Sequence, residues 1–147
     1  MKTIPLLNSI KDISLIEKNG VIIVFDPQEE DVSPLDQFED TEQAKEVCEK
    51  YNNGNFAAWF CAKVTVKYKG FESTDYLGCC SYNSFKEFTT AENDCFVDMI
   101  NTCINGINVD IKRSNFETQK FWDIRKAKNL INKYGLFIIG SNKLQTL

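Results

Sequence analysis

Eight carboxylates stand together without a base between Asp26 and Ala44: Asp26, Glu29, Glu30, Asp31, Asp36, Glu39, Asp40 and Glu42. Grouped acids can do three kinds of chemistry. They can hold a hard divalent cation through oxygen, with Asp26 and one of Glu29, Glu30 or Asp31 as ligands. They can work as a general acid and base. They can also form an electrostatic docking surface for a basic partner, which steers encounter and selects against acidic partners. The metal pattern is poor, because Asp26-x-x-Glu29 lacks the glycine and the twelfth-position glutamate of a calcium loop. No single pair of acids stands out for acid/base work. A plainer reading makes the segment a solvated loop and helix start, since Asp40 and Glu42 lie where a helix dipole favours negative charge.

From Ile111 onward the balance reverses. Lys112, Arg113, Lys120, Arg125, Lys126, Lys128, Lys133 and Lys143 face only Glu117 and Asp123. Arg113 and Arg125 are the only arginines of the chain. Arginine forks onto phosphate or carboxylate as lysine cannot. Arg113, Arg125, Lys126 and Lys128, with Trp59 as an aromatic platform, are therefore the candidate contacts for a phosphorylated nucleotide ligand. The plainer readings are the solvated back of a helix, or a helix lying against the acidic segment of its own chain or of a neighbouring subunit in a homo-oligomer. A net charge of −4 argues against general nucleic-acid binding.

Other chemistry is hard to assemble. The chain has no histidine, so neither a Cys–His nucleophile nor an imidazole metal ligand is available. The six cysteines include no Cys-x-x-Cys pair. They fall on the apolar sides of expected helices (Cys48, Cys95, Cys103) or in expected strands (Cys61, Cys79, Cys80), and are read as reduced packing residues. No catalytic residue, metal or cofactor is expected, and the chain reads as a non-enzyme. The apolar fraction of 43% argues for a folded chain. Neither a spanning run nor a signal-peptide core is legible, so a single cytoplasmic domain without membrane contact is expected.

The expected elements are those of an α+β fold: an antiparallel sheet of four to five strands, built from two hairpins, with two to three helices on one face. Ile13–Lys18 and Val21–Phe25 flank Asn19-Gly20 and predict a hairpin, its second strand central and covered on both faces. Asp40 with Gln43 predicts a capped helix to Tyr51, with Ala44, Val47, Cys48 and Tyr51 on its apolar side at i, i+3, i+4 and i+7. Phe56, Ala58, Phe60, Ala62, Val64, Val66 and Tyr68 alternate as the core face of the clearest strand. Asp75–Tyr82 is its expected partner, and Gly78 within it marks a bulge or a close backbone approach. Ser84 with Glu87 predicts a short capped turn, then a helix from about Ala91 through Ile107. Ser114 with Glu117 predicts the cap of a separate helix that runs to Tyr134, buries Phe121, Ile124, Ala127, Ile131 and Tyr134, and is stopped by Gly135. Leu136–Ile139 reads as a last short strand.

Ala58-Trp59-Phe60-Cys61-Ala62-Lys63-Val64 and Tyr76-Leu77-Gly78-Cys79-Cys80-Ser81-Tyr82 resemble a pattern in small uncharacterised proteins of phages and mobile elements. The lysine-, asparagine- and isoleucine-rich composition suits an AT-rich genome of that kind. The resemblance implies an inhibitor that binds a host defence effector. In that role the acidic contacts would be Glu29, Glu30, Asp31, Asp36 and Glu39. A bacterial immunity or regulatory protein that masks a basic toxin site is the alternative. A small carboxylate-metal enzyme using Asp26, Glu29 and Glu30 is the third.

Overall fold

A computed structural model describes residues 1–90, 94–134, 136–139 and 143–146, with side chains as far as residue 130. The chain is α+β. In order, the elements are α1 (Ile13–Lys18), β1 (Ile22–Phe25), α2 (Pro34–Gln37), α3 (Thr41–Asn52), β2 (Phe60–Tyr68), β3 (Phe71–Cys80), α4 (Phe85–Thr90), α5 (Asp94–Tyr134), β4 (Leu136–Ile139) and β5 (Lys143–Thr146). Two compact units result: residues 3–108, and residues 1–2 with 109–147. Each is described separately.

The larger unit holds a three-stranded antiparallel sheet, ordered β1-β2-β3. β2 is central because its alternation is the strongest in the chain. Phe60, Ala62, Val64 and Val66 are buried on one face. Lys69 and Gly70, both at positive φ, form a two-residue turn, so β3 begins at once at Phe71 opposite Tyr68. The first half of α5 covers the core through Phe96, Met99, Ile100, Cys103, Ile104 and Ile107. The Cys103 thiol donates to the Val64 carbonyl at 3.6 Å. A Cβ on Gly106 would lie 2.9 Å from Ser73 Oγ. A helix glycine that costs about 1 kcal/mol against alanine thus permits close helix–sheet packing. Phe25 closes one end of the core, stacked on Phe88 at 5.2 Å and edge-on to Phe60 and Phe96.

The N-terminal segment is tied to α5 by side-chain amides that imitate a strand partner. Asn108 accepts from the Ile4 amide and donates to the Ile4 carbonyl, both at 2.8 Å. Asn101 does the same for Leu7 at 2.8 and 2.9 Å. In the smaller unit Asn115 repeats the pattern on Met1, accepting from its amino group at 3.3 Å and donating to its carbonyl at 2.9 Å. Asparagines seven apart lie on one stripe of a helix, which is why residues three apart in the strap can each meet one.

Several expectations are corrected. Ile13–Lys18 is helix α1, not a strand, and Asn19-Gly20 is its C-terminal stop. Gly20 at φ +91° sends its amide to the Glu17 carbonyl, and the Val21 amide reaches Ile16. Asn-Gly supplies positive φ equally well to a hairpin turn and to a helix end. The main sheet therefore has three strands rather than four or five; β4 and β5 pair separately in the smaller unit. β1 is an edge strand, with Ile22 and Val24 exposed. Ser114 does not cap a new helix but sits inside the continuous α5. Neither glycine nor proline follows Gly106 before Ser114, so nothing breaks the backbone where the motif suggested a restart. Phe121 and Ile124, expected inside, are exposed, and Phe56 is a 3₁₀-turn residue exposed to 58% rather than the first core residue of β2. Ala91, Gly135 and the side chains of Ile131 and Tyr134 lie outside the described residues. Leu136–Ile139 is a strand, paired with Lys143–Thr146. None of the described helices is long and apolar enough to cross a membrane.

Candidate functional site

β1 runs directly into the acidic segment, and the sheet continues to hold it. The Asp26 amide reaches the Lys63 carbonyl at 2.9 Å. Gln28 and Cys61 exchange amide–carbonyl bonds of 2.8 and 2.9 Å. Opposite Cys61, on the other edge of β2, β3 bulges: Phe60 opposes Cys80 and Ala62 opposes Leu77, leaving Gly78 and Cys79 opposite one residue. Cys79 pays for the bulge with a left-handed backbone, φ +57°, a conformation that costs a non-glycine residue roughly 1–2 kcal/mol.

Glu30 sits at that bulge. Its Oε2 accepts from the Cys79 amide at 2.6 Å, and its Oε1 accepts from the Val32 amide at 3.1 Å. A Cβ on Gly78 would come within 3.0 Å of Oε2, so the glycine marks a close approach as expected, but of a side chain. Two residues on, the Trp59 indole N–H donates to the Val32 carbonyl at 2.7 Å, and the ring packs on Phe38 at 5.6 Å between centroids. Glu30 and Trp59 together pin residues 30–32 onto the sheet. Ser33 caps α2 by accepting from the Leu35 amide at 3.3 Å. Asp40 caps α3 by accepting from the Glu42 and Gln43 amides at 3.0 and 3.4 Å.

The pinned segment shows its remaining acids to solvent. Glu29, Asp31, Asp36 and Glu39 are all exposed. Glu30 alone of the five expected contacts is half-buried and committed to backbone amides. Glu42, Glu46 and Glu49 continue the acidic surface along α3 at i, i+4 and i+7, which places them on one face. That spacing was legible, and sequence reasoning overlooked it because the acid run was cut at Lys45. Lys45 and Lys50 pair loosely with Glu42 and Glu46 at 3.8 and 3.2 Å; such exposed pairs contribute little. Val32, Leu35 and Phe56 are exposed apolar side chains in the same part of the chain.

Two small clefts adjoin this surface. One, of about 220 Å³, is lined by Glu29, Glu30, Asp31, Val32, Pro34, Tyr51 and Trp59 among others. The second, of about 270 Å³, is lined by Pro27, Gln28, Glu29, Tyr51, Phe56, Trp59, Phe60 and Phe85. Glu29, Tyr51 and Trp59 border both. Tyr51 meets Phe56 edge-on at 5.2 Å. Tyr51 and Phe56 were read only as core positions.

The cysteines beside the bulge are poor nucleophiles. Burial raises the thiol pKa of Cys61, with Glu30, Cys79 and Asp31 adding to it; burial and then Glu30 raise that of Cys79. Burial pushes Cys80 and Cys103 up to about 11. None of the six cysteines, all among the described residues, is in a disulfide. Among the described residues no group of three or more Cys, Asp or Glu is arranged to hold a metal ion.

The candidate basic contacts and Trp59 belong to different units. Arg113, Arg125, Lys126 and Lys128 are exposed on α5 in the smaller unit. Trp59 is buried in the larger unit with its N–H engaged, so it is a loop anchor rather than an open platform. Arg113 and Arg125 are twelve residues apart, about 18 Å along the axis, too far to grip one phosphate together. Arg125 instead lies over Trp122, 5.3 Å from the ring centroid, an i, i+3 pair visible in the sequence but not singled out. Phe116, Phe121, Trp122 and Ile124 are exposed beside these bases.

No protein-family model, curated protein or solved structure matches this chain. The functional reading therefore rests on the site.

Proposed function

We propose that this chain is a non-enzymatic binding protein that blocks a basic protein effector with the acidic surface formed by Glu29, Asp31, Asp36, Glu39 and the α3 face Glu42, Glu46 and Glu49. The observation that carries the reading is the pinning of the segment by Glu30 and Trp59. Like charges held in a fixed array repel one another, and a fold that fixes them spends stability on doing so. A rigid acidic surface loses little entropy on docking, and exposed Val32, Leu35 and Phe56 supply apolar contacts amid the acids.

The setting we propose is inhibition of a bacterial defence system by a phage or mobile element, acting in the host cytoplasm. The resemblance over residues 58–82 and the composition support it. An immunity protein masking a basic toxin would use the same surface. Sequestration of a nucleotide by the bases of α5 is a second reading, favoured only by the Trp122–Arg125–Lys128 strip, which shares a helix face.

The test is phage plating on hosts that carry individual defence systems and express the chain. The wild type is expected to restore plating against at least one system, and the D31K/D36K/E39K variant to lose that effect at equal abundance. Undiminished rescue by the variant would remove the acidic surface from the function.

A further inference from the structure

The paired clefts at Glu29 and Tyr51 are built from different chemistry than the rest of the acidic surface. Each is smaller than the roughly 300 Å³ at which pockets begin to hold whole drug-sized ligands, so each suits a single side chain. Their shared border combines one exposed carboxylate, Glu29, with the rings of Tyr51 and Trp59, and Phe56 and Phe85 extend the aromatic wall of the second. Glu29 has no hydrogen-bond or ion-pair partner among the described residues, whereas Glu30 beside it has both oxygens engaged. An unpaired carboxylate at the mouth of an aromatic-walled cleft is complementary to a cation with a flat, weakly hydrated face. Guanidinium fits that description better than ammonium: it stacks on aromatic rings and forks onto a carboxylate, while an ammonium keeps its water.

We propose that the Glu29–Tyr51–Phe56 cleft is the anchor site for an arginine side chain of the basic partner. The proposal rests on the docking reading and narrows it: the acidic surface supplies long-range attraction, and this cleft supplies the short-range specificity. Glu29 would take the guanidinium edge, and Tyr51 and Phe56 would flank its apolar stem and face. Trp59 is already fixed by Val32, so the wall exists before the ligand arrives. Such a central aromatic pocket surrounded by charge is where binding energy concentrates in protein interfaces.

The probe is a blocked tripeptide, acetyl-Gly-Arg-Gly-amide, titrated into the ¹⁵N-labelled full chain. Acetyl-Gly-citrulline-Gly-amide, which is nearly isosteric but neutral, is the control. We expect saturable shifts of the Trp59 indole and of the Glu29 and Tyr51 amides with the arginine peptide at millimolar concentration, and at least fivefold weaker binding of the citrulline and lysine analogues. E29Q should weaken the arginine peptide at least fivefold, and so should Y51L. Equal binding of the arginine and citrulline peptides, or shifts that remain linear to the solubility limit, would overturn the proposal. Oligolysine binding to the same samples reports separately on the surface: if it persists while the arginine peptide fails, the cleft proposal falls and the docking reading stands. If both fail, both fall.

Discussion

Glu30 and Cys79, forty-nine residues apart, are joined by a 2.6 Å bond from the Cys79 amide to the Glu30 carboxylate. The bond does two things. It satisfies an amide that the bulge removes from the ladder, and it fixes the start of the acidic segment on the sheet. Glu30 is therefore an internal fastening and Asp40 a helix cap, while Glu29, Asp31, Asp36 and Glu39 are displayed.

Replacing Glu30 with alanine is expected to cost about 1–3 kcal/mol, the range for leaving a partly buried donor unpaired. Denaturant unfolding checks this. Gly78→Ala should also destabilise, because its Cβ presses on Glu30 Oε2. In the E30A background that cost should shrink, since the obstructing oxygen is gone. Strict additivity in this double-mutant cycle would separate the two residues.

Trp59→Phe keeps the aromatic packing on Phe38 but removes the donor to Val32. A loss of about 1 kcal/mol is expected. Amide exchange of residues 30–34 should accelerate while that of β2 stays slow, because the bond holds the segment and not the sheet.

Asn108→Ala removes both bonds to Ile4. The expected cost is about 1–3 kcal/mol, with faster proteolysis of the first residues. Asn108→Asp can accept from the Ile4 amide but cannot donate to its carbonyl, so it should fall between the two.

Stability should fall as the solution becomes alkaline. Burial raises the thiols of Cys80 and Cys103 to about 11 in the folded chain, from an ordinary 9.0. A raised pKa means the folded state holds the proton more tightly. Their contribution is complete below pH 9 and is lost between pH 9 and 11. Cys103→Ala should lower stability at neutral pH, by the small cavity it leaves, yet flatten this alkaline decline. An unchanged slope would mean the thiol is not shielded as its position implies.

How much was legible depended on whether a motif had one physical meaning. The alternation from Phe60 to Tyr68 and the caps Asp40 and Ser84 had one each and stand as read, though Phe56 and Ala58 precede the strand; Ser84 Oγ accepts from the Glu87 amide at 3.1 Å. Asn19-Gly20 had two meanings, and the tertiary setting chose the helix end. Ser114 with Glu117 matched a cap, but side chains that suit a helix start do not end the helix before it. The acids were visible as a group. What composition could not separate was Glu30 from Glu29, because the difference lies in a bulge formed by residues far along the chain. The aromatic clefts were hidden for the same reason: Tyr51 and Phe56 look like core by spacing, and only the fold leaves Tyr51 half-buried and Phe56 exposed.

The central claim is tested most directly by calorimetric titration of decalysine into two triple variants of equal net charge. D31K/D36K/E39K reverses the pinned surface; E17K/E72K/E87K reverses exposed acids elsewhere. Both change the net charge from −4 to +2. Binding that survives in the second variant and drops at least tenfold further in the first is the predicted result. Equal loss in both would show that the chain attracts bases only through its overall charge, and would contradict a built acidic docking surface.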